Sequence, residues 1–244
     1  MQATVSTFRL PKAGNSESEY EDSSWPCNSC VETLPARIAV ADGATDAVFS
    51  GLWAYLLVEA WGLQRLKEVS AESVGVVAAA WQQIVQNRVV PWYVEEKAKQ
   101  GSYAAFIGVD IDCSAESGWG HWSATACGDC CLFQIREGQL LTAFPMTQSK
   151  DFSNSPSLLC TRSMDANDLN GIRNDTGEWR AGDSLYLMSD ALACWFLAKC
   201  ESDLASPNLL SLESESSFEK WIEDLRGLQE LKNDDCTLVT VYFE

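Results

Sequence analysis

Acidic residues stand at the predicted ends of several strands along this 244-residue chain. They are Glu21 and Asp22, Asp42, Asp190, and Asp234 and Asp235. Carboxylate oxygens, without histidine or cysteine beside them, are the ligands that magnesium and manganese prefer in proteins. If these strand ends share one edge of a sheet, the carboxylates converge and form a site for hard divalent cations.

Asp42 has a glycine after it, and this pair follows the apolar run 38–41. A glycine has no Cβ, so the carbonyl of Gly43 can approach an ion closely. Two hard cations close together can activate a bridging water and bind a phosphoryl oxygen. The alternative is a set of unrelated surface turns, because Asp-Gly is a frequent turn pair. Buried carboxylates repel one another, so a converging cluster requires cations.

Composition limits the class of protein. Hydrophobic residues make up 46% of the chain and include ten Trp, which favours one domain over residues 1–244. The net charge is −18, so we expect no nucleic-acid partner. No run of 18 apolar residues and no apolar N-terminal stretch is present. We therefore predict a cytoplasmic protein that does not enter a membrane, and leave its oligomeric state open.

Ten cysteines are present, and we expect free thiols in a cytoplasmic protein. Two pairs have metal-ligand spacing, Cys27 with Cys30 and Cys127 with Cys130, so a zinc-stapled interaction domain is a weaker alternative. The second pair lies between two predicted strands, which favours a hairpin over a zinc knuckle. The only histidine, His121, is predicted to be packed beside tryptophans, and mechanisms that need two histidines are excluded.

The apolar patterns predict an antiparallel sheet protein with added helices. Predicted strands cover 3–10, 36–41, 103–111, 120–127, 131–135, 140–144, 184–188 and 238–243. Predicted helices cover 46–62, with Thr45 or Asp46 as its cap, and 71–87, 92–100, 191–200 and 218–231. Residues 146–180 are polar and are predicted to be a loop with short pieces of structure.

Five short motifs resemble the metal-dependent serine/threonine protein phosphatases of the 2C type (PP2C), in order and spacing over nearly the full length. They are Glu21-Asp22, Asp42-Gly43 after an apolar strand, Gly128-Asp129 in a hairpin, the segment from Gly182-Asp183 to Asp190, and Asp234-Asp235 before the last strand. A compact bacterial branch of the family is the most similar. The resemblance implies an α+β fold, an antiparallel β-sandwich flanked by α-helices. It also implies two Mg²⁺ or Mn²⁺ ions.

The resemblance also implies roles for individual residues. Asp42 would bridge both ions, and Gly43 would supply its carbonyl. Asp190 and Asp234 would bind one ion and Glu21 the other, while Asp22 would order a water on the metal. Asp235 is included in the predicted metal group as the neighbour of Asp234. We interpret Asp129 and Asp183 as turn residues.

Three positions depart from the family pattern. The family commonly has an Arg a few residues before the Glu-Asp pair that binds substrate phosphate, whereas this chain has Glu17-Ser18-Glu19 there. Lys12 is the predicted replacement, with Arg9 the other nearby base. Ala191 replaces a Gly after Asp190, and Thr45-Asp46 replaces a Gly pair. No additional Asp before Tyr103 is evident for the third ion of some members.

The sequence thus predicts a hydrolase that removes phosphate from phosphoserine and phosphothreonine in proteins through a water activated by two metal ions. The alternative is a catalytically weak module with the same fold that binds a phosphoprotein or another partner. The departure at the phosphate-binding Arg motivates this alternative, and the retained carboxylates argue against it.

Overall fold

The structure is a computed structural model that describes residues 1–114, 118–153, 155–162, 170–202 and 206–244. All strand pairings in these ranges are antiparallel. The strands are β1 Gln2–Leu10, β2 Asp22–Trp25, β3 Cys30–Thr33, β4 Ala36–Gly43, β5 Tyr103–Ile111, β6 Trp119–Cys127, β7 Cys131–Arg136, β8 Gln139–Phe144, β9 Leu159–Cys160, β10 Ile172–Arg180, β11 Ser184–Met188 and β12 Cys236–Phe243. The α-helices are α1 Ser50–Gly62, α2 Ala71–Gln86, α3 Trp92–Ala98, α4 Asp190–Ser202 and α5 Glu215–Gly227.

The strands form two sheets. The first sheet has the order β3-β1-β12-β11-β7-β8, and the second has the order β10-β6-β5-β4-β2 with β9 paired to β5. Apolar side chains from both sheets meet in one core cluster that includes Val40, Ile107, Leu187 and Val239. Opposed inner faces of this kind define a sandwich. The predicted α+β class and the antiparallel sandwich flanked by helices are confirmed.

The helices cover the outer faces of the sandwich. α1 and α2 pack on the second sheet through a cluster that includes Trp53, Trp61 and Trp81. α4 and α5 pack on the first sheet through a cluster that includes Phe196 and Phe218. The central strands are therefore buried on both faces, which explains why they are continuous apolar runs in the sequence instead of alternating patterns. No helix in the described part of the chain is long and apolar enough to cross a membrane.

Several predicted elements need correction. The first helix begins at Ser50, not at residue 46, and neither Thr45 nor Asp46 caps it, because Phe49 takes the N-cap position in a left-handed conformation. Residues 172–180 form the nine-residue strand β10 and not a loop. β10 pairs with β6 at the edge of the sheet, where exposed polar side chains are tolerated. The expected structure at residues 154 and 163–169 lies outside the described residues.

In the described part of the chain, the cysteines and the single histidine are not grouped as a zinc site would require. No disulfide bond joins any of the ten cysteines, all of which lie in the described residues. Cys27 is exposed, Cys130 is buried in the core between the sheets, and Cys127 is buried in the cluster under α1 and α2. His121 is exposed, contrary to the predicted packing, and its ring meets the Trp119 ring edge-on with centroids 5.3 Å apart.

A buried carboxylate connects the two sheets at the turn between β10 and β11. Asp183 is 2% exposed and accepts hydrogen bonds from Gln134 Nε2 at 3.0 Å and from the amide of Arg180 at 2.9 Å. Arg136 donates to both of its oxygens, through Nε at 2.8 Å and Nη2 at 2.7 Å. Burial alone would raise the pKa of Asp183, but Arg136 and the other donors more than offset it and lower the pKa. Asp183 is thus a turn residue, as predicted, and also a structural anchor.

We expect Asp183→Ala to lower the free energy of unfolding by about 2–4 kcal/mol, because Arg136 and Gln134 lose their acceptor. Since the folded pKa lies below the unfolded value, this contribution is present at neutral pH and is lost as pH falls below about 4. Urea unfolding at neutral pH measures the change. Asp224→Ala, on the exposed face of α5, is the control and should change stability by less than about 0.5 kcal/mol. Equal effects of the two substitutions would contradict the anchoring role.

Candidate metal centre

Four carboxylates from separate parts of the chain line one cavity at an end of the sandwich. Asp42 lies at the end of β4, Asp129 in the turn between β6 and β7, Asp190 at the start of α4, and Asp234 in the turn before β12. The predicted hairpin at Gly128-Asp129 is wrong, because β6 and β7 belong to different sheets and the turn crosses from one sheet to the other. The cavity has a volume of 570 Å³ and is also lined by Lys97 and Lys232. The carboxylates therefore meet, but they come from strands of both sheets at one end of the sandwich and not, as expected from the sequence, from one edge of a single sheet.

The backbone around Asp42 is fixed by its neighbours. Asp42 is paired with Asp22 across β4 and β2. The amide of Gly43 donates to the carbonyl of Glu21 at 3.2 Å, and the amide of Ala44 donates to the carbonyl of Tyr103 at 2.9 Å. A Cβ added to Gly43 would lie 2.7 Å from the backbone carbon of Ser50 and 2.8 Å from the Glu21 carbonyl oxygen. Close packing against the start of α1 thus requires glycine at this position, whether or not its carbonyl binds an ion.

The carboxylates destabilise one another's charged forms. Burial, followed by the charges of Asp22 and Asp190, raises the pKa of Asp42 well above its usual range. Burial and the charge of Asp190 raise the pKa of Asp129 to about 7. Burial also raises the pKa of Asp190, and the charge of Asp234 raises it further. Asp42, Asp129 and Asp190 thus share one electrostatic environment, in which burial and neighbouring charges disfavour the ionised forms.

Asp129 was missed by sequence reasoning, which interpreted it only as a turn residue. Its carboxylate is 5% exposed and lines the same cavity as Asp42 and Asp190. Gly128 carries φ +103° and a Cβ there would lie 2.6 Å from the Cβ of Ala105, so the Gly-Asp turn packs closely on β5. The turn and the site are therefore the same feature, and its position depends on β5, a contact that the local sequence does not show.

Asp22 lies behind Asp42 and does not line the cavity. It is 4% exposed, and its Oδ2 accepts a hydrogen bond from the Thr237 hydroxyl at 2.7 Å. Its Oδ1 is buried and has no hydrogen-bond partner among the described residues. Burial raises the pKa of Asp22 to about 8; the Thr237 bond opposes this, and the charge of Asp235 adds to it. A buried acceptor without a donor is costly, so Asp22 Oδ1 is suited to accept a proton or a water hydrogen.

Glu21 is turned away from the four carboxylates. The Ser50 hydroxyl donates to its Oε1. Glu21 lines a second cavity of 720 Å³, together with Lys12 and Arg88, and Thr45 lines both cavities. The structure therefore places Lys12 and Glu21 beside the carboxylate cavity rather than within it.

Asp235 differs from its neighbour Asp234 in what it contacts. Its Oδ1 accepts from the amide of Lys12 at 2.8 Å, and its Oδ2 accepts from the amide of Glu21 at 2.8 Å. Asp235 does not line the carboxylate cavity. Its place in the metal group stays a prediction. In the structure both of its oxygens accept from backbone amides, and these bonds hold the segment that carries Glu21 and Asp22.

Lys232 is the second residue that sequence reasoning missed. Its Nζ lies 2.7 Å from Asp234 Oδ2 and 3.6 Å from Asp190 Oδ2. The hydrogen bond to Asp234 raises the pKa of Lys232, although burial opposes the shift. The ammonium of Lys232 thus lies beside both Asp190 and Asp234, two of the predicted metal ligands.

The donor atoms of the cavity match a divalent cation in chemistry. The four clustered carboxylates, the more exposed carboxylate of Asp46 and the backbone of Gly43 are hard oxygen donors of the kind that Mg²⁺ and Mn²⁺ select. As the side chains stand, no group of three or more acidic, histidine or cysteine side chains within the described ranges is placed to hold an ion. The residues fit the ions in chemistry, and binding would require Lys232 to release Asp190 and Asp234.

Comparison with known proteins supports the fold. No protein-family model matches the sequence, and no curated protein matches it. Among solved structures, the serine/threonine phosphatase PstP of Mycobacterium tuberculosis is similar over 100% of both chains, with 14% identity and a TM-score of 0.63. The PstP catalytic domain in complex with two manganese ions is similar over 98% of both chains, with 16% identity and a TM-score of 0.58. The photosystem II phosphatase PBCP is similar over 99% of both chains, with 15% identity and a TM-score of 0.59. The chain therefore has the fold of the PP2C-type phosphatases, as the sequence motifs implied.

The raised pKa of Asp129 leads to a prediction for the metal-free chain. Because its folded pKa of about 7 exceeds the unfolded value, the folded state holds this proton more tightly, and stability falls as pH rises from about 4 to about 7. The Asp129→Asn variant has no ionisable group at this position. In chelator at about pH 8 its free energy of unfolding should therefore exceed that of the native chain by on the order of 2 kcal/mol. Urea unfolding of the two proteins measures this difference.

The same pair of proteins supplies the control. At about pH 5 the native Asp129 is already protonated in the folded state, so most of the stability difference should disappear. A variant that is less stable than the native chain at the higher pH would contradict the electrostatic interpretation of this cluster.

Proposed function

We propose that this chain is a metal-dependent phosphomonoesterase that removes phosphate from phosphoserine and phosphothreonine in proteins. The observation that carries the proposal is the convergence of Asp42, Asp129, Asp190 and Asp234 in one cavity at the end of a sandwich that solved serine/threonine phosphatases share. A scaffold without chemistry gains nothing from holding four repelling carboxylates together. Two Mg²⁺ or Mn²⁺ ions are the proposed cofactors.

The proposed roles follow the placement of each side chain. Asp42, on β4, would contact both ions, and Asp190 with Asp234 would hold one of them. Glu21 lines the neighbouring cavity, with which the carboxylate cavity shares Thr45, and it would hold the other ion after leaving the Ser50 hydroxyl. When bound, the ions would supply Lewis-acid polarisation of the phosphoryl oxygens and a water of lowered pKa.

Asp22 and Asp235 would support this arrangement from behind. Asp22 Oδ1 is an acceptor without a donor, and it would orient a water or take its proton next to Asp42. Asp235 fixes the amides of Lys12 and Glu21, so the segment bearing Glu21 keeps its position. Hydrogen bonds of this kind, made around the metal ligands, determine how the ligands themselves are oriented.

The substrate would enter past the rim of the cavity. Ser153, Ser155, Pro156 and Lys97 line the cavity along with the carboxylates. A volume of 570 Å³ admits a phosphorylated side chain with its adjoining backbone. We propose a phosphoprotein partner on this basis and on the resemblance to the protein phosphatases.

A catalytically weak module that binds a phosphoprotein is the second candidate. The specific observation that favours it is the present arrangement of the ligands, in which Lys232 pairs with Asp190 and Asp234 while Glu21 bonds to Ser50. Metal-dependent hydrolysis separates the two candidates, because a binding module would show metal or phosphopeptide binding without turnover.

We expect the native chain to hydrolyse para-nitrophenyl phosphate with Mn²⁺ and not with chelator. Asp42→Asn should reduce this turnover by at least about 100-fold, because a neutral amide binds two cations poorly. Initial rates at saturating Mn²⁺ measure the loss. The matched control is Asp46→Asn, an exposed residue of the same cavity, which should retain most of the activity. Retained turnover in Asp42→Asn would contradict the two-metal proposal.

Lys12 gives a separate prediction about phosphate binding. If its ammonium replaces the family's Arg, Lys12→Ala should raise the KM for an aryl phosphate by about three- to tenfold, with a smaller change in kcat. The backbone of Lys12 is held by Asp235, so the substitution removes the charge and leaves the chain in place. Arg88→Ala, from the same cavity, tests the other cation there. An unchanged KM for Lys12→Ala would remove Lys12 from the phosphate site.

A further inference from the structure

A lysine ammonium occupies the space between two carboxylates that face the cavity. Lys232 Nζ is 2.7 Å from Asp234 Oδ2 and 3.6 Å from Asp190 Oδ2. Its side chain is 64% exposed, whereas those of Asp190 and Asp234 are 21% and 26% exposed. The anions are therefore fixed in the wall of the cavity, and the cation reaches them from its open side.

The turn that carries Lys232 is held firmly on both sides. Leu231 is 5% exposed and packs in the cluster under α5. The side chain of Asn233 bonds to Ala13 twice, accepting from its amide at 2.7 Å and donating to its carbonyl at 3.3 Å. Arg226 Nη2 donates to the carbonyl of Asp234 at 2.6 Å. The backbone of the turn is thus fixed, and only the flexible stem of Lys232 can move the ammonium.

We propose that Lys232 is a tethered competitor for the metal: its ammonium neutralises Asp190 and Asp234 in the metal-free chain, and a divalent cation must displace it to bind these two carboxylates. The inference rests on the proposed function only in requiring that a divalent cation binds in this cavity.

The physical reason is competition between two cations for the same oxygens. An ammonium at hydrogen-bond distance offsets part of the repulsion between the two carboxylates, so the metal-free site is more stable with it than without it. The same charge opposes an incoming divalent ion until the stem swings into the open cavity. Because the stem is largely exposed, this movement has a small cost, and the competition lowers metal affinity without abolishing it.

A consequence is that filling the site requires a higher free concentration of the ion than the carboxylates alone would require. Lys97 lines the same cavity, and no ion pair joins it to Asp190 or Asp234 in the described structure. Lys97 therefore carries the same charge nearby without the direct contact, and it serves as the matched control.

The test is calorimetric titration of Mn²⁺ into chelator-treated protein at low ionic strength. Lys232→Met should lower the Kd for Mn²⁺ by about three- to tenfold, whereas Lys97→Met should change it by less than about twofold. Lys232→Arg keeps the positive charge and should bind Mn²⁺ with nearly native affinity. Lys232→Gln provides a second neutral variant.

Thermal unfolding is an independent readout. In chelator, Lys232→Met should unfold at a lower temperature than the native chain, because Asp190 and Asp234 lose their counter-charge. Added Mn²⁺ should then raise its unfolding temperature by more than it raises that of the native chain, since tighter binding to the folded state stabilises it further.

The outcomes separate this inference from the proposed function. Equal effects of Lys232→Met and Lys97→Met, or a weaker affinity in Lys232→Met, would overturn the competition while leaving a metal-binding phosphatase. Failure of the native chain to bind Mn²⁺ at millimolar concentrations would overturn both.

Discussion

Repulsion among carboxylates at one end of the sandwich is the constraint on which the rest of the structure depends. Asp42, Asp129, Asp190 and Asp234 line one cavity, and burial and neighbouring charges raise the pKa of the first three. Such a group would separate on a flexible scaffold, because each charge gains by moving toward water. It persists because each member sits at a strand end or a helix start whose position is set by the packed core. The cost of the cluster in the free chain is thus carried by interactions elsewhere in the fold.

The supporting bonds are placed where the repulsion would act. Pairing of β2 with β4 sets Asp22 opposite Asp42. Asp235 holds the Glu21 segment through two amides, and Arg226 holds the carbonyl of Asp234. In the turn before β11, Asp183 accepts hydrogen bonds from Gln134 and Arg136. These bonds fix the position of β11 and therefore of Asp190, which follows it. Asp22, Asp235, Arg226 and Asp183 do not line the carboxylate cavity, yet they determine the geometry of the residues that do.

The fold and much of the site could be predicted from the sequence, because both depend on local patterns. The buried strands are continuous apolar runs, and Asp42, Asp190 and Asp234 directly adjoin strands, so their convergence follows from antiparallel packing. Other features depend on partners distant in the chain. Asp235 has the same local sequence context as Asp234 but contacts the amides of Lys12 and Glu21, and Lys232 gains meaning only from its distance to Asp190. β10 was missed because its exposed residues are polar and its pairing with β6 is not encoded by its own pattern.

The net charge of −18 makes binding of the proposed phosphorylated substrate depend on binding of the metal. A phosphate ester is an anion, and the metal-free cavity is lined by five carboxylates and two lysines, so it repels the group that the proposed reaction would require. Divalent ions bound to those carboxylates reverse the sign of the potential locally. In the proposed function, metal and phosphate would therefore bind with positive coupling, and by thermodynamic reciprocity a phosphorylated substrate would raise the affinity for the metal by the same factor. If the ion displaces the ammonium of Lys232 from Asp190 and Asp234, as we propose, the ammonium would be free to face the incoming phosphate and would add to that coupling.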